Sequence, residues 1–241
     1  MARIWIPLPD TDFDVTEVAV PWKVLTRAGH EVVFVTERGG VAPAADPLLL
    51  TGVLFGKLGA QSEPRAWYAE MIASPGFQAP VAWAGLDVTR FDALILPGGH
   101  APGMKQYLGS QELQAKVRQF FALNRPVGAI CHGVLVAARA GVLKGRRTTC
   151  LPKYMERSAY LATFWSLGRY YRTYDAYVEE EVTGALEKKE DFVRGPIELS
   201  TRGTDLDDRA AFVVEDANYV SARWPGDAYL FAKKLLERVR A

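Results

Sequence analysis

The sequence predicts a doubly wound α/β fold, a mostly parallel sheet with helices on both faces. Three observations predict it. The chain opens strand–helix–strand, an order that favours parallel pairing through a right-handed crossover. Short apolar runs then alternate with helical patterns along its length. Several of those runs end in glycine-rich turns, as strands do when they deliver residues to a sheet edge. At 241 residues, 49% apolar and 24% charged, the chain is long enough to bury one large core and reads as a single domain spanning 1–241.

The elements follow in order. "RIWIPLP" (3–9) reads as a buried strand. In "DVTEVAVPWKVLTRAG", Asp14 caps a helix, Glu17 sits in its first turn and Gly29 stops it, with Pro21 as an internal point of strain. "HEVVFVTE" (30–37) is the second strand, with His30 at its start as a structural residue. Residues 38–90 are irregular and read as an insertion packed on the domain, with a helix in "PRAWYAEMIAS". "DALILPGG" (92–99) is a third strand, "SQELQAKVRQFFALN" (110–124) a helix capped by Ser110, and "RPVGAI" (125–130) a fourth strand. After Cys131 a short helix runs to Gly141, and "GRRTTC" (145–150) is predicted as a fifth strand. An aromatic-rich section over 151–195 contains an acidic helix, "VEEEVTGALEKKE". "AAFVVEDANYVSAR" (210–223) reads as two strands turning at Asp216–Asn218, and "PGDAYLFAKKLLERVR" (225–240) as a closing amphipathic helix.

The bulk numbers exclude several classes. A formal net charge of +1 gives no electrostatic footprint for nucleic acid or an anionic membrane. No stretch approaches the length of a membrane span, and the N-terminus lacks the apolar core of a signal peptide. Two cysteines make no disulfide framework, so a reducing, cytoplasmic location is expected. The scattered histidines and cysteines lack metal-ligand spacing, and no cofactor motif stands out.

The chemistry concentrates in "AICHG" (129–133). A strand-to-helix turn with small residues two places before and after its centre, here Ala129 and Gly133, is the pattern of a nucleophile elbow. Cys131 at its centre is therefore a candidate nucleophile, against the plainer reading of a buried core cysteine, which is how Cys150 reads. A helix N-terminus there favours a thiolate. The N–H groups of His132 and Gly99 are candidate oxyanion donors, with Gly98 and His100 lining the same turn. The ring of His132 is less securely placed, because neighbouring side chains diverge on a helix. Glu17 has two readings: the last residue of an Asp-x-x-Glu capping box, or a carboxyl group aimed at the thiol.

"DALILPGGHAPG", "RPVGAICHG" and "FVVEDANYVSARWPGDA", with Glu17 on the first helix, together resemble the ThiJ/PfpI superfamily. Within it the chain most resembles the larger branch of glyoxalase III and chaperone-like proteins. The resemblance implies a flavodoxin-like, class I glutamine amidotransferase-like fold and a homodimer. It implies Cys131 as nucleophile, Glu17 as its carboxyl partner, His132 as the adjacent histidine, and Gly99 with His132 as the oxyanion site. Glu156, in "CLPKYMERSAY", is the nearest match to an acidic third triad member. No histidine follows His132, so the glutaminase triad is absent. The expected activity is a cofactor-independent attack on a small reactive carbonyl such as methylglyoxal. A non-enzymatic chaperone or redox sensor is the alternative, and a cysteine peptidase ranks below both.

Overall fold

Buried apolar side chains line both faces of the strands that make the centre of the molecule. In the computed structural model, which describes every residue except Leu54, Phe55, Lys57, Leu199 and Ala241, β1 (Arg3–Pro7) leads through a short β2 (Thr11–Phe13) into α1 (Val15–Arg27). Then come β3 (Glu31–Thr36), β4 (Ala44–Ala45), α2 (Pro47–Thr51), α3 (Ser62–Ile72), α4 (Pro75–Gln78) and β5 (Val81–Ala82). Part of "LLLTGVLFGKLG" lies outside the described residues. The chain continues through β6 (Ala93–Leu96), α5 (Met104–Gly109), α6 (Gln111–Ala122), β7 (Val127–Ile130) and α7 (Val134–Arg139). It ends with α8 (Lys153–Leu167), α9 (Val178–Ala185), β8 (Val213–Asp216), β9 (Tyr219–Ala222) and α10 (Ala228–Arg240).

The main sheet has the order β5-β3-β1-β6-β7-β9-β8, parallel except for the β8–β9 hairpin. Every residue of β6, β7 and β9 is buried, as expected of central strands covered on both faces. Helices α1, α3 and α10 pack as one group and α6, α7 and α9 as another. The predicted doubly wound architecture is thus the observed one. The chain winds from β1 out to β5, then returns to the other side of β1 as β6. The carboxyl ends of β1 and β6 therefore flank the switch point where open α/β sheets bind ligands.

One predicted strand is absent. Residues 145–150 make only an isolated bridge, Thr148 with Phe192. The place beside β7 is taken by β9, whose Tyr-Val-Ser-Ala face is wholly buried. The Thr148 segment instead settles against it through side chains: Thr149 N–H donates to Ser221 Oγ at 2.9 Å, and Thr148 and Tyr219 share a hydroxyl contact. The acidic helix is also shorter than its sequence pattern, since Leu186 turns extended after Ala185.

Among the described residues, no helix is long and apolar enough to cross a membrane.

Candidate active site

The turn after β7 has the strained geometry that its sequence predicts. Ile130 is extended, Cys131 takes a left-handed φ of 57°, and a single 3-10 turn over Cys131–Gly133 feeds α7. A non-glycine residue in that region costs about 1–2 kcal/mol, so the surrounding packing must hold it there. Gly133 shows why: a Cβ at this position would lie 2.1 Å from the Leu96 carbonyl oxygen. Only glycine lets the turn press against the end of β6.

The partner turn after β6 is equally close. A Cβ on Gly98 would meet His132 N at 2.7 Å, Glu17 Oε2 at 2.8 Å and Cys131 Cβ at 2.9 Å. Gly98 is the point where three distant parts of the sequence converge. Its N–H donates to Glu17 Oε2 at 2.8 Å, and its carbonyl accepts from Asp14 N at 2.9 Å. These bonds decide between the two readings of Glu17. Asp14 does cap α1, accepting from Thr16 N and Glu17 N. Glu17 does not close the box on Asp14, whose N–H is already spent on Gly98. The Glu17 side chain is fully buried and turned towards the sulfur.

The thiol of Cys131 interacts with the Glu17 carboxyl, although Oε1 has no partner of full hydrogen-bond geometry. Burial pushes the Glu17 carboxyl well above the ordinary range, and the neighbouring Asp14 adds to the shift. Burial also pushes the Cys131 thiol up, with the Glu17 charge second, against the lowering effect of the His132 backbone N–H. The helix N-terminus alone therefore does not set the thiol's charge; desolvation outweighs it.

The His132 ring is closer to the sulfur than helical side-chain divergence predicts. Its Nδ1 lies 3.5 Å from Cys131 Sγ. The left-handed turn at Cys131 breaks the helical geometry on which that expectation rests. The ring is buried beside Tyr174, and burial lowers its pKa to about 3. Among the described residues the Gly99 N–H has no acceptor, and Gly99 borders the cavity above the sulfur.

That cavity has a volume of about 310 Å³ and reaches Cys131, Gly99 and His100. Its walls are mostly apolar, from Leu49, Ala60, Leu151, Met155 and Ala162. His100 stacks on Tyr171 at 4.1 Å, and burial lowers its pKa to about 3. Glu156 also borders the cavity, but its carboxylate accepts from Val178 N at 3.1 Å and pairs with Arg172 at 3.6 Å. Neither partner is His132, and among the described residues no acidic side chain hydrogen-bonds or pairs with its ring. Burial raises Glu156 to about 7.

Several residues at the site carried no sequence signal. Tyr107 places a buried, unpartnered hydroxyl near Glu17. Arg202 and Trp224 enter the cavity wall from loops flanking the hairpin. From the aromatic-rich section, Tyr171 enters the cavity wall and Tyr174 lies beside the His132 ring. Among the described residues, no group of three or more His, Cys, Asp or Glu gathers as a metal site.

This arrangement has relatives. The chain is 31% identical over 167 residues to the uncharacterized protein C14C4.04 of Schizosaccharomyces pombe, covering 66% of this chain and 62% of that one. It is 24% identical over 233 residues to the deglycase PfpI of Pyrococcus furiosus, covering 97% of each. The crystal structure of glyoxalase III from Candida albicans superposes with a TM-score of 0.68 at 17% identity, over 98% of this chain and 97% of that one. The model of the ThiJ/PfpI family-like group matches residues 8–196, taking in the Glu17 helix, the Gly98–Gly99 turn and the Cys131 elbow together, and the chain belongs to that family.

Proposed function

We propose that the protein is a cysteine-dependent enzyme that converts small α-oxoaldehydes to 2-hydroxy acids, in the manner of a glyoxalase III. The single observation that carries this reading is the elbow: Cys131 held at φ 57° between Glu17 and His132, at the floor of a small apolar cavity. The names of relatives support the same substrate class, deglycase for the Pyrococcus protein and glyoxalase III for the Candida one.

For methylglyoxal the steps balance as follows. The Cys131 sulfur bonds to the aldehyde carbon, the carbonyl electron pair moves to its oxygen, and the thiol proton passes to His132 Nδ1. The Gly99 and His132 N–H groups hold the oxyanion until His132 returns the proton, giving a hemithioacetal. His132 then removes the hydrogen from the first carbon and delivers it to the second through an enediol, leaving a lactoyl thioester on Cys131. Water adds to the thioester, the carbon–sulfur bond breaks, and lactate leaves with the thiol restored. Glu17, protonated through burial, donates a hydrogen bond to the sulfur whenever it carries charge. Lactate formation by the purified protein, lost in Cys131→Ala, is the expected result. Absence of turnover by the wild type, or equal turnover by both, overturns the reading.

One observation favours a second reading, a holdase-type chaperone. Helix α8 exposes Leu161, Phe164 and Trp165, with Trp165 72% exposed, on one apolar stripe. Suppression of client aggregation that survives Cys131→Ala and fails in a Phe164→Ser/Trp165→Ser variant would establish it.

A further inference from the structure

The cavity beside Cys131 is lined by a guanidinium that, among the described residues, no protein group hydrogen-bonds or pairs in direct contact. Arg202 lines it, and among the described residues its side chain makes no hydrogen bond and no ion pair. Its Cζ lies over the Trp224 ring at 5.3 Å, and the charges of Asp14 and Glu17 act on it through space. The other arginines around the site are engaged. Arg139 is bidentate to Glu181, Arg172 pairs with Glu156, and Arg223 is locked onto Asp227. A desolvated guanidinium is expensive unless an anion meets its fork of donors. The guanidinium carbon lies over the Trp224 ring, a cation–π contact that gives the side chain an apolar support.

We infer that Arg202 is the recognition group for a carboxylate on the substrate, so that the preferred substrate is an α-oxoaldehyde bearing a carboxylate at its far end. This rests on the proposed reading of Cys131. A monoanion fits better than a phosphate dianion, because Asp14 borders the same cavity and its charge acts on Arg202. One guanidinium carries one positive charge and can meet one carboxylate, whereas a dianion beside Asp14 and Glu156 would exceed it. The apolar wall from Leu151, Met155 and Ala162 suits the methylene spacer between the two ends. In such a substrate the aldehyde end goes to Cys131 and the carboxylate to Arg202. 4,5-Dioxopentanoate has this form; with one water it becomes 2-hydroxyglutarate by the steps given for methylglyoxal.

Two measurements test the inference, with Arg202→Gln and Arg202→Lys beside the wild type. The first is the rate of Cys131 alkylation by iodoacetate relative to iodoacetamide, normalised to free cysteine and read by peptide mass. The second is kcat/KM for 4,5-dioxopentanoate relative to methylglyoxal. Both ratios are expected to favour the anion in the wild type, to fall about tenfold in R202Q, and to fall less in R202K. Alkylation of Cys131 without charge preference, or ratios indifferent to Arg202, overturns the carboxylate site and leaves the enzyme reading intact. Charge-selective alkylation without turnover of either aldehyde sinks the enzyme reading and leaves the carboxylate site. A Cys131 inert to both reagents overturns both.

Discussion

Glu17 Oε2 and Gly98 N lie 2.8 Å apart, and this bond ties the first helix to the turn after β6. It commits one carboxyl oxygen to the backbone and leaves the other for the sulfur. A neutral Glu17 acting as a hydrogen-bond donor can be replaced by glutamine, which still accepts from Gly98 and donates from its amide. Glu17→Gln is therefore expected to stay within about tenfold of wild-type turnover of methylglyoxal, whereas Glu17→Ala falls at least about a hundredfold. A glutamine variant as slow as the alanine one would transfer the proton-moving role from His132 to Glu17.

The ring and the backbone of His132 do different work. His132→Ala keeps the N–H that faces the sulfur and removes the Nδ1 that lies 3.5 Å from it. Turnover should drop by about 10²–10⁴, while the fold, read by circular dichroism, stays unchanged. Because burial holds the ring near pKa 3, the rate–pH profile should show no histidine inflection between pH 5 and 9. The inflections to look for are those of the cavity acids, Asp14 at about 6 and Glu156 at about 7.

Asp14 also links pH to stability. Burial raises its pKa from 3.8 to about 6, against the lowering effects of the Glu17 and Thr16 N–H groups and Arg202. A raised carboxyl favours the protonated fold. Its contribution is present in full below about pH 4 and is lost as pH rises through 6. The rise corresponds to about 3 kcal/mol. Asp14→Asn keeps the cap and removes the titration. In urea unfolding, the stability of the wild type relative to D14N should fall by about 2.5 kcal/mol between pH 4 and 7.5. A pH-independent difference would show that Asp14 does not titrate in this range.

Arg223 and Asp227 form a salt bridge at 2.8 Å with both side chains fully buried. Asp227 also accepts from Phe212 N, and Arg223 donates to the Pro196 carbonyl. Removing one partner strands the other charge in the core, so Asp227→Ala should cost about 3–5 kcal/mol. An Arg223→Met/Asp227→Leu double variant should recover much of that loss, since the desolvation cost disappears with the pair. Urea titration of the single and double variants decides it.

The sheet, its winding and the elbow were legible because each is local. Four-residue apolar runs, an Asp cap and an Ala-x-Cys-x-Gly spacing carry their meaning within a few residues. The make-up of the cavity wall was not legible. Arg202 and Trp224 come to the wall of the cavity that holds Cys131 from loops flanking the hairpin, and no spacing along the chain announces that approach. "GRRTTC" failed for a related reason: its strand-like pattern is local, but the place beside β7 belongs to β9. The His132 ring lies nearer the sulfur than helical side-chain divergence implies, because φ 57° at Cys131 takes the turn out of the helix.

The separation between the elbow and the cavity wall has a structural consequence. Cys131, Gly133, Gly98 and Glu17 interlock so tightly that a single added carbon at either glycine collides with its neighbours. Leu49, Met155, Ala162 and Arg202 border the cavity from other segments, and changing them leaves those contacts in place. The wall can therefore be rebuilt one side chain at a time while the turn that carries Cys131 keeps its shape.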